Sequence, residues 1–170
     1  MAPKKQKASS DRLKTPTDLK SNAAMSVAQG LNKVLADSYA LYLKTKNFHW
    51  HVSGPHFRDY HLMFDEQAAQ ILATTDLIAE RVRKTGNVTL RSIGDIGRHQ
   101  TIRDNDADFV SPKDMLDELR EDNLALVQSL RAVKKAAAEA GDNATEGMTD
   151  DLTDQAEQRA WFLFEAGRGA

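Results

Sequence analysis

Apolar residues recur along most of the chain at intervals of three and four, the spacing that places them on one face of an α-helix. The first such stripe covers 27–48 and ends before a Ser-Gly-Pro break at 53–55. The second covers 57–82 and ends before Gly86. Both therefore predict long helices that are joined by a tight turn.

Two further stripes follow in the second half of the chain. One begins at Ser111 and Pro112, a serine cap followed by proline at the first helical position, and Gly141 stops it. The other begins at about Thr145 and continues into the Trp-Phe-Leu sequence near the end of the chain. The strand signal is weak throughout, and only 87–90 suggests extended chain.

Four helices of about 20 to 30 residues predict a bundle about 30–45 Å long. The first two helices are joined tightly, as are the last two, whereas 87–110 forms a long connection in which a short helix is expected within 92–99. One long crossover is the ferritin-like arrangement. The predicted fold is therefore all-α, a ferritin-like four-helix bundle spanning 21–170.

Residues 1–20 differ in composition from this predicted bundle. They contain two prolines, few apolar residues and a clear excess of basic residues over Asp11 and Asp18. Such a segment cannot offset its ordering entropy, so a flexible basic tail is expected. The basic residues considered for binding DNA are Lys4, Lys5, Lys7, Arg12 and Lys14.

Composition narrows the possible classes of function. The chain has 170 residues, enough for one domain with a sizeable core, and its net charge of −2 leaves only local patches to attract nucleic acid. The absence of cysteine excludes disulfides, thiolate metal sites and cysteine nucleophiles. Neither a run of about eighteen apolar residues nor a secretory signal is present, so a cytoplasmic protein without a membrane partner is expected.

Potential metal ligands lie at helical spacing within the second predicted helix. His61 and Asp65 are four residues apart. Asp76 and Glu80 are also four apart, and eleven residues, close to three full turns, separate Asp65 from Asp76. All four therefore lie along one stripe that borders the apolar stripe. Each pair taken alone is also common on exposed helix faces that bind no metal.

One subunit cannot close such a site, because Asp65 and Asp76 lie about 16 Å apart along the helix axis. The four positions 61, 65, 76 and 80 are arranged symmetrically about a point between residues 70 and 71. An antiparallel copy across a two-fold axis would bring His61 level with Glu80 of the partner subunit, and Asp65 level with Asp76 of the partner subunit. Small residues that would let the two helices approach are Ala68, Ala69 and Ala73.

Four of the five histidines fall between residues 47 and 65. His49, at the end of the first helix, can reach the same end of the second helix as His61 through the tight turn. His51 and His56 are expected to be bystanders, and His99 in the crossover receives no role. Histidine with carboxylates and without cysteine suits Fe(II), Mn(II) or Zn(II) better than Cu(I) or an iron–sulfur cluster.

The motifs resemble those of the Dps family of mini-ferritins. They are HWHVSG followed by HLMFDEQ, then TDLIAERV, and WFLFEA near the end of the chain. The resemblance covers about residues 22–168, and its most specific part is the pattern of histidine and carboxylates from His61 to Glu80. The chain lacks the Glu-x-x-His motif of maxi-ferritins, which disfavours that alternative.

The resemblance implies a hollow shell of twelve subunits with iron-oxidising sites at dimer interfaces. It places His49, His61 and Asp65 of one subunit opposite two carboxylates of its partner, with Trp50 beside the site. It also implies a ferroxidase reaction, in which peroxide or oxygen accepts electrons from Fe(II) and Fe(III) is mineralised inside the shell. The partner's carboxylates would be Asp76 and Glu80.

Two further expectations follow from the family pattern. Acidic residues at the start of the fourth helix, Asp142, Glu146 and Asp150, are candidates for a threefold pore, although the helix dipole alone also favours acids there. The basic tail is a candidate for non-specific DNA binding, since twelve copies on a shell act multivalently. An architectural DNA-compacting protein and a plain helical interaction module are the alternatives to an iron-oxidising shell.

Overall fold

A computed structural model describes residues 11–168. A single turn of 3₁₀ helix, Asp11–Leu13, precedes five α-helices. These are α1 (Ser21–His51), α2 (Phe57–Lys84), α3 (Ile93–His99), α4 (Pro112–Ala140) and α5 (Asn143–Ala166). The all-α class, the four long helices and the short helix in the crossover are all confirmed.

The four long helices surround one apolar core. α1 packs against both α2 and α4, α4 packs against α5, and α5 also touches α2. The stripes predicted from periodicity supply the buried side chains, among them Phe48, Phe64, Leu119 and Leu163. Burial of these stripes is the main stabilising contribution to the bundle.

Local signals set the ends of α4. Ser111 caps its start, where the hydroxyl oxygen accepts a hydrogen bond from the backbone N–H of Asp114 at 3.1 Å. Gly141 follows its last residue with a φ of 71°, a left-handed conformation that glycine adopts without strain. The expected boundaries of this helix are therefore confirmed.

The segment 87–90 is not a strand, and residues 11–168 contain no strand at all. The side chain of Asn32 on α1 forms hydrogen bonds with polar groups of this segment. Asn32 donates to the carbonyl oxygen of Val88 at 3.1 Å and accepts from the Thr89 hydroxyl at 3.0 Å. The apparent extended signal therefore marks a loop that lies along α1.

A buried carboxylate attaches the crossover to α1. Asp37 accepts hydrogen bonds from the backbone N–H groups of Thr101 and Ile102 and from the Thr101 hydroxyl. These bonds satisfy loop N–H groups that no helix or strand pairs. The connection after α3 is therefore fixed against the bundle.

The second half of the segment 1–20 contacts α2, and the flexibility expected for this tail stays a prediction. Arg83, in the last turn of α2, donates to the carbonyl oxygen of Leu13 and to the Thr15 hydroxyl. Gly86 lets this segment approach, since a Cβ there would lie 3.0 Å from the Thr15 carbonyl oxygen. The tail residues Lys4, Lys5 and Lys7 lie outside the described residues.

No helix within residues 11–168 is both long enough and apolar enough to cross a membrane.

Candidate metal centre

The last turn of α1 and the second turn of α2 bring two histidines together. The Nδ1 atom of His49 lies 2.7 Å from the carbonyl oxygen of His61. The Nδ1 atom of His61 lies 2.8 Å from the carbonyl oxygen of His49. The two rings stack, with centroids 3.8 Å apart and planes inclined by 21°. The tight turn after α1 therefore produces a reciprocal pair of imidazoles.

These two bonds determine the tautomer of each ring. A carbonyl oxygen only accepts, so Nδ1 must carry the hydrogen in both His49 and His61. In the neutral rings, the Nε2 atoms then carry the free lone pairs. A hydrogen bond from one ring nitrogen to the main chain is the usual support for a histidine that binds metal through the other nitrogen. Both side chains therefore fit a metal centre.

Asp65 lies one turn beyond His61 on the same face of α2. One of its oxygens, Oδ1, lies 3.9 Å from Nε2 of His49. The carboxylate is more than half exposed and lies beside the stacked rings. The structure thus brings His49, His61 and Asp65 to one place, as the sequence predicted.

Lys46 is a member of this cluster that the sequence analysis missed. Its Nζ atom lies 2.6 Å from Oδ1 of Asp65. This hydrogen bond, opposed by a smaller effect of burial, lowers the pKa of Asp65 below its ordinary value. Its position three residues before His49 was the available signal, because that spacing places both side chains on one face of α1.

Trp50 borders the centre through Lys46. Its ring is 58% exposed, and its centroid lies 5.8 Å from Nζ of Lys46. At this distance the ammonium group lies within the range of a cation–π contact. Trp50 is therefore exposed at the edge of this cluster, and its place beside a shared site stays a prediction.

The other two predicted ligands lie further along α2. Asp76 and Glu80 are both exposed, and Glu80 forms an ion pair with Lys84 at 3.2 Å. Asp76 is three turns beyond Asp65, about 16 Å along the helix axis. Within residues 11–168 of one chain, no three histidine or acidic side chains form a group that could hold a metal ion.

The exposed side of α2 that carries the proposed ligands also carries apolar side chains. Leu62, Leu72 and Leu77 are 42%, 41% and 48% exposed. Ala69 and Ala73 are also exposed, whereas Ala68 is fully buried in the core. The expectation that Ala68 faces a second helix is therefore wrong, because the residue belongs to the core stripe.

The remaining histidines lie on the surface and bond to their own helices or turns. Nδ1 of His51 lies 2.8 Å from the carbonyl oxygen of Asn47, and Nδ1 of His99 lies 2.9 Å from that of Asp95. His56 precedes α2, with its ring against Tyr60. None of the three belongs to the cluster described above.

The structure places the pore candidates differently from one another. Asp142 is only 3% exposed, caps the start of α5 and forms an ion pair with Arg81. Its proposed pore role is therefore wrong, because its oxygens are held by Arg81 and Thr145. Glu146 is half-buried, and Asp150 is exposed and paired with Lys134. The role of these last two residues stays a prediction.

Comparison with known proteins places the chain in a family. The family model described as a ferritin-like domain matches residues 28–166. An uncharacterized low temperature-induced protein of Nostoc sp. is 35% identical over 134 residues, with 78% of this chain and 75% of that protein covered. The DNA protection during starvation protein of Agrobacterium fabrum is 32% identical over 150 residues, with 88% and 93% covered.

The fold agrees with these sequence matches. The crystal structure of a Dps protein from Bacillus brevis superposes with a TM-score of 0.82 and 30% sequence identity, covering 86% of this chain and 97% of that one. The helices, their connections and the sequence likeness lead to the same conclusion: the chain belongs to the Dps family of ferritin-like proteins.

Proposed function

We propose that the protein oxidises Fe(II) at sites shared between two subunits and stores the product. The observation that supports this most directly is the reciprocal bonding of His49 and His61, which leaves one nitrogen of each ring free and places that of His49 3.9 Å from Oδ1 of Asp65. Two imidazoles with carboxylates suit Fe(II) as a substrate ion. The centre needs further ligands, which residues 11–168 of one chain do not supply.

A second copy of the chain supplies them in this proposal. If two α2 helices pack antiparallel across a two-fold axis, Asp76 and Glu80 of the partner subunit come level with Asp65 and His61. The apolar face that lies between, with Leu62 at one end, is of the kind that a second subunit would cover. Such a dimer carries two identical sites.

The reaction balances without releasing a radical. Two Fe(II) ions each lose one electron, and hydrogen peroxide accepts both electrons and becomes two hydroxide ions, or water once protonated. Oxygen is the alternative acceptor. Carboxylates such as Asp65 favour this oxidation because they stabilise the more highly charged Fe(III). Fe(III) then leaves the site and forms mineral inside a closed shell, which we take to have twelve subunits in the cytoplasm.

Stopped-flow oxidation of Fe(II), with peroxide and with oxygen, tests the site. Asp65→Ala is expected to slow the reaction at least about tenfold, since it removes a metal ligand. Glu66→Ala is the matched control, because Glu66 is an exposed carboxylate next to Asp65 that points off the stripe. Equal rates for wild type and Asp65→Ala would remove the proposed site.

Mixing two variants tests the sharing of ligands. One variant lacks Asp65 and the other lacks Glu80, and each alone is expected to be inactive. When the two are unfolded and reassembled together, half of the dimers are mixed, and each mixed dimer has one intact site. Activity should therefore return to about a quarter of the wild-type value. No recovery in mixed dimers that are shown to form would contradict a shared site.

Binding and compaction of DNA is the second candidate function, independent of iron. The supporting observation is that Arg12 and Lys14 are exposed beside the contact of the chain with Arg83, so their positive charges lie on the surface of the bundle. Relatives named for DNA protection agree with this candidate.

Glu146 and Asp150 are proposed to line the route of iron into the shell, where carboxylates concentrate cations.

A further inference from the structure

Lys46 lies in the metal centre without belonging to the ligand set. Its ammonium group is 2.6 Å from Oδ1 of Asp65, and its side chain is only 19% exposed. The ring of Trp50 is also close to it, with the centroid 5.8 Å from Nζ. Lys46 therefore contacts two residues of the proposed centre at once.

The oxygen that Lys46 holds also lies close to His49. Oδ1 of Asp65 is 3.9 Å from Nε2 of His49, and these two residues would hold a metal ion at this place. A divalent cation bound to both would stand beside the ammonium group. Like charges at such a separation repel strongly, so the two cations compete for the same oxygen.

We propose that Lys46 is a displaceable internal cation that positions Asp65 and sets the affinity of the centre for divalent ions. Before metal binds, the hydrogen bond from the ammonium group holds the carboxylate beside His49. A divalent ion then displaces it, and the ring of Trp50 offers the released ammonium a nearby contact. This inference rests on the proposed function, because it assumes that Asp65 is a ligand.

Competition of this kind also makes the centre selective for divalent over monovalent cations. A monovalent cation gains little by replacing an ammonium group that already carries the same charge. A divalent ion gains more, because it adds the two imidazoles and a second charge to the same contact. Lys46 therefore opposes the binding of Na⁺ and K⁺ at the centre, whereas it lowers the affinity for divalent ions only moderately.

Calorimetric titration of the metal-free assembled protein with Zn²⁺, which is not oxidised, tests the proposal. Lys46→Met is expected to bind Zn²⁺ about three- to tenfold more tightly, the size expected for releasing one partly exposed ion pair. Lys46→Arg keeps a cation and should restore the wild-type affinity. Lys46→Gln is a second neutral variant in case the methionine variant fails to fold.

Lys113→Met is the matched control, because Lys113 forms a similar ion pair with Asp117 at 2.8 Å and neither residue is a proposed ligand. Removing Lys113 should leave Zn²⁺ binding unchanged. Crystals grown with and without Zn²⁺ give a direct second readout, and Nζ of Lys46 should leave Oδ1 of Asp65 when Zn²⁺ is bound. If Lys46 stays hydrogen-bonded there, the proposal is overturned.

The same titration separates this proposal from the proposed function. If Asp65→Asn weakens Zn²⁺ binding but both neutral variants at Lys46 bind like wild type or more weakly, the role of Lys46 is wrong and the site stands. If Asp65→Asn leaves Zn²⁺ binding unchanged, the site itself is wrong. If removing Lys46 strengthens binding in the wild type but not in the Asp65→Asn background, the lysine acts through Asp65.

Discussion

His49 and His61 each bond through Nδ1 to the main-chain carbonyl oxygen of the other residue, at 2.7 and 2.8 Å. The supporting groups are therefore main-chain atoms of α1 and α2, whose positions are set by the packing of the two helices. The arrangement holds both rings in place and leaves Nε2 of each free to bind a metal. Their orientation thus depends on the packing of the bundle, and the ring of Phe57 also stacks on that of His61, with centroids 5.1 Å apart.

Replacing His61 tests whether this pair holds metal. His61→Ala removes one imidazole and the ring that stacks on His49, so the affinity for Zn²⁺ should fall at least about tenfold. Calorimetric titration measures the change. His51→Ala is the control, because His51 is an exposed histidine only two residues from His49 whose ring bonds within its own helix. Similar losses for the two variants would show a non-specific effect.

Leu72→Arg tests the apolar face of α2. Leu72 lies close to the proposed two-fold axis, so an arginine there would oppose its own copy and place two like charges in the interface. The mass measured by analytical ultracentrifugation should fall toward that of smaller assemblies. Ile93→Arg, on the short helix α3 and highly exposed, is the control and should leave the mass unchanged.

Asp142→Ala tests the corrected role of this residue. The substitution removes the cap of α5 and leaves the guanidinium of Arg81 without its partner, so the free energy of unfolding should fall by about 2–4 kcal/mol. Denaturant titration measures the loss. Retained stability would mean that the cap and the ion pair contribute little.

The stability that Asp142 provides should also depend on pH. Burial acts to raise the pKa of its carboxyl group, but hydrogen bonds from Arg81 and Thr145 outweigh burial and lower it below 3.8. Because the folded pKa is depressed, the contribution is complete above the ordinary carboxyl pKa and is lost as the pH falls through the folded value. The stability difference between wild type and Asp142→Asn should therefore shrink as the pH falls below the ordinary carboxyl pKa and through the lower folded pKa.

Removing residues 2–14 tests DNA binding by the tail. The deletion takes away the basic residues before the point where Arg83 holds the chain. Retardation of duplex DNA should weaken, and its dependence on salt should become shallower, because fewer phosphates are neutralised. Measurements at two salt concentrations give both effects, and unchanged binding would exclude the tail as the DNA-binding element.

Relationships within a single helix could be predicted from the sequence alone. The spacing of apolar residues defined the four long helices, and the serine cap and glycine stop located the ends of α4. The common stripe of Asp65 and Asp76 follows from the same rule. An α-helix has a fixed rise and turn per residue, so residue numbers translate directly into position along it.

Relationships between elements were decided only by the tertiary structure. Lys46 meets Asp65 because α1 and α2 pack with one relative rotation, and Asp142 is buried because Arg81 reaches it from another helix. The sequence contains each of these residues but not the rotation and distance of the helices that carry them. The rotation and distance follow from how all the side chains of the core pack together. The helices and the ligand stripe could therefore be predicted, whereas the internal cation Lys46 and the buried cap Asp142 could not.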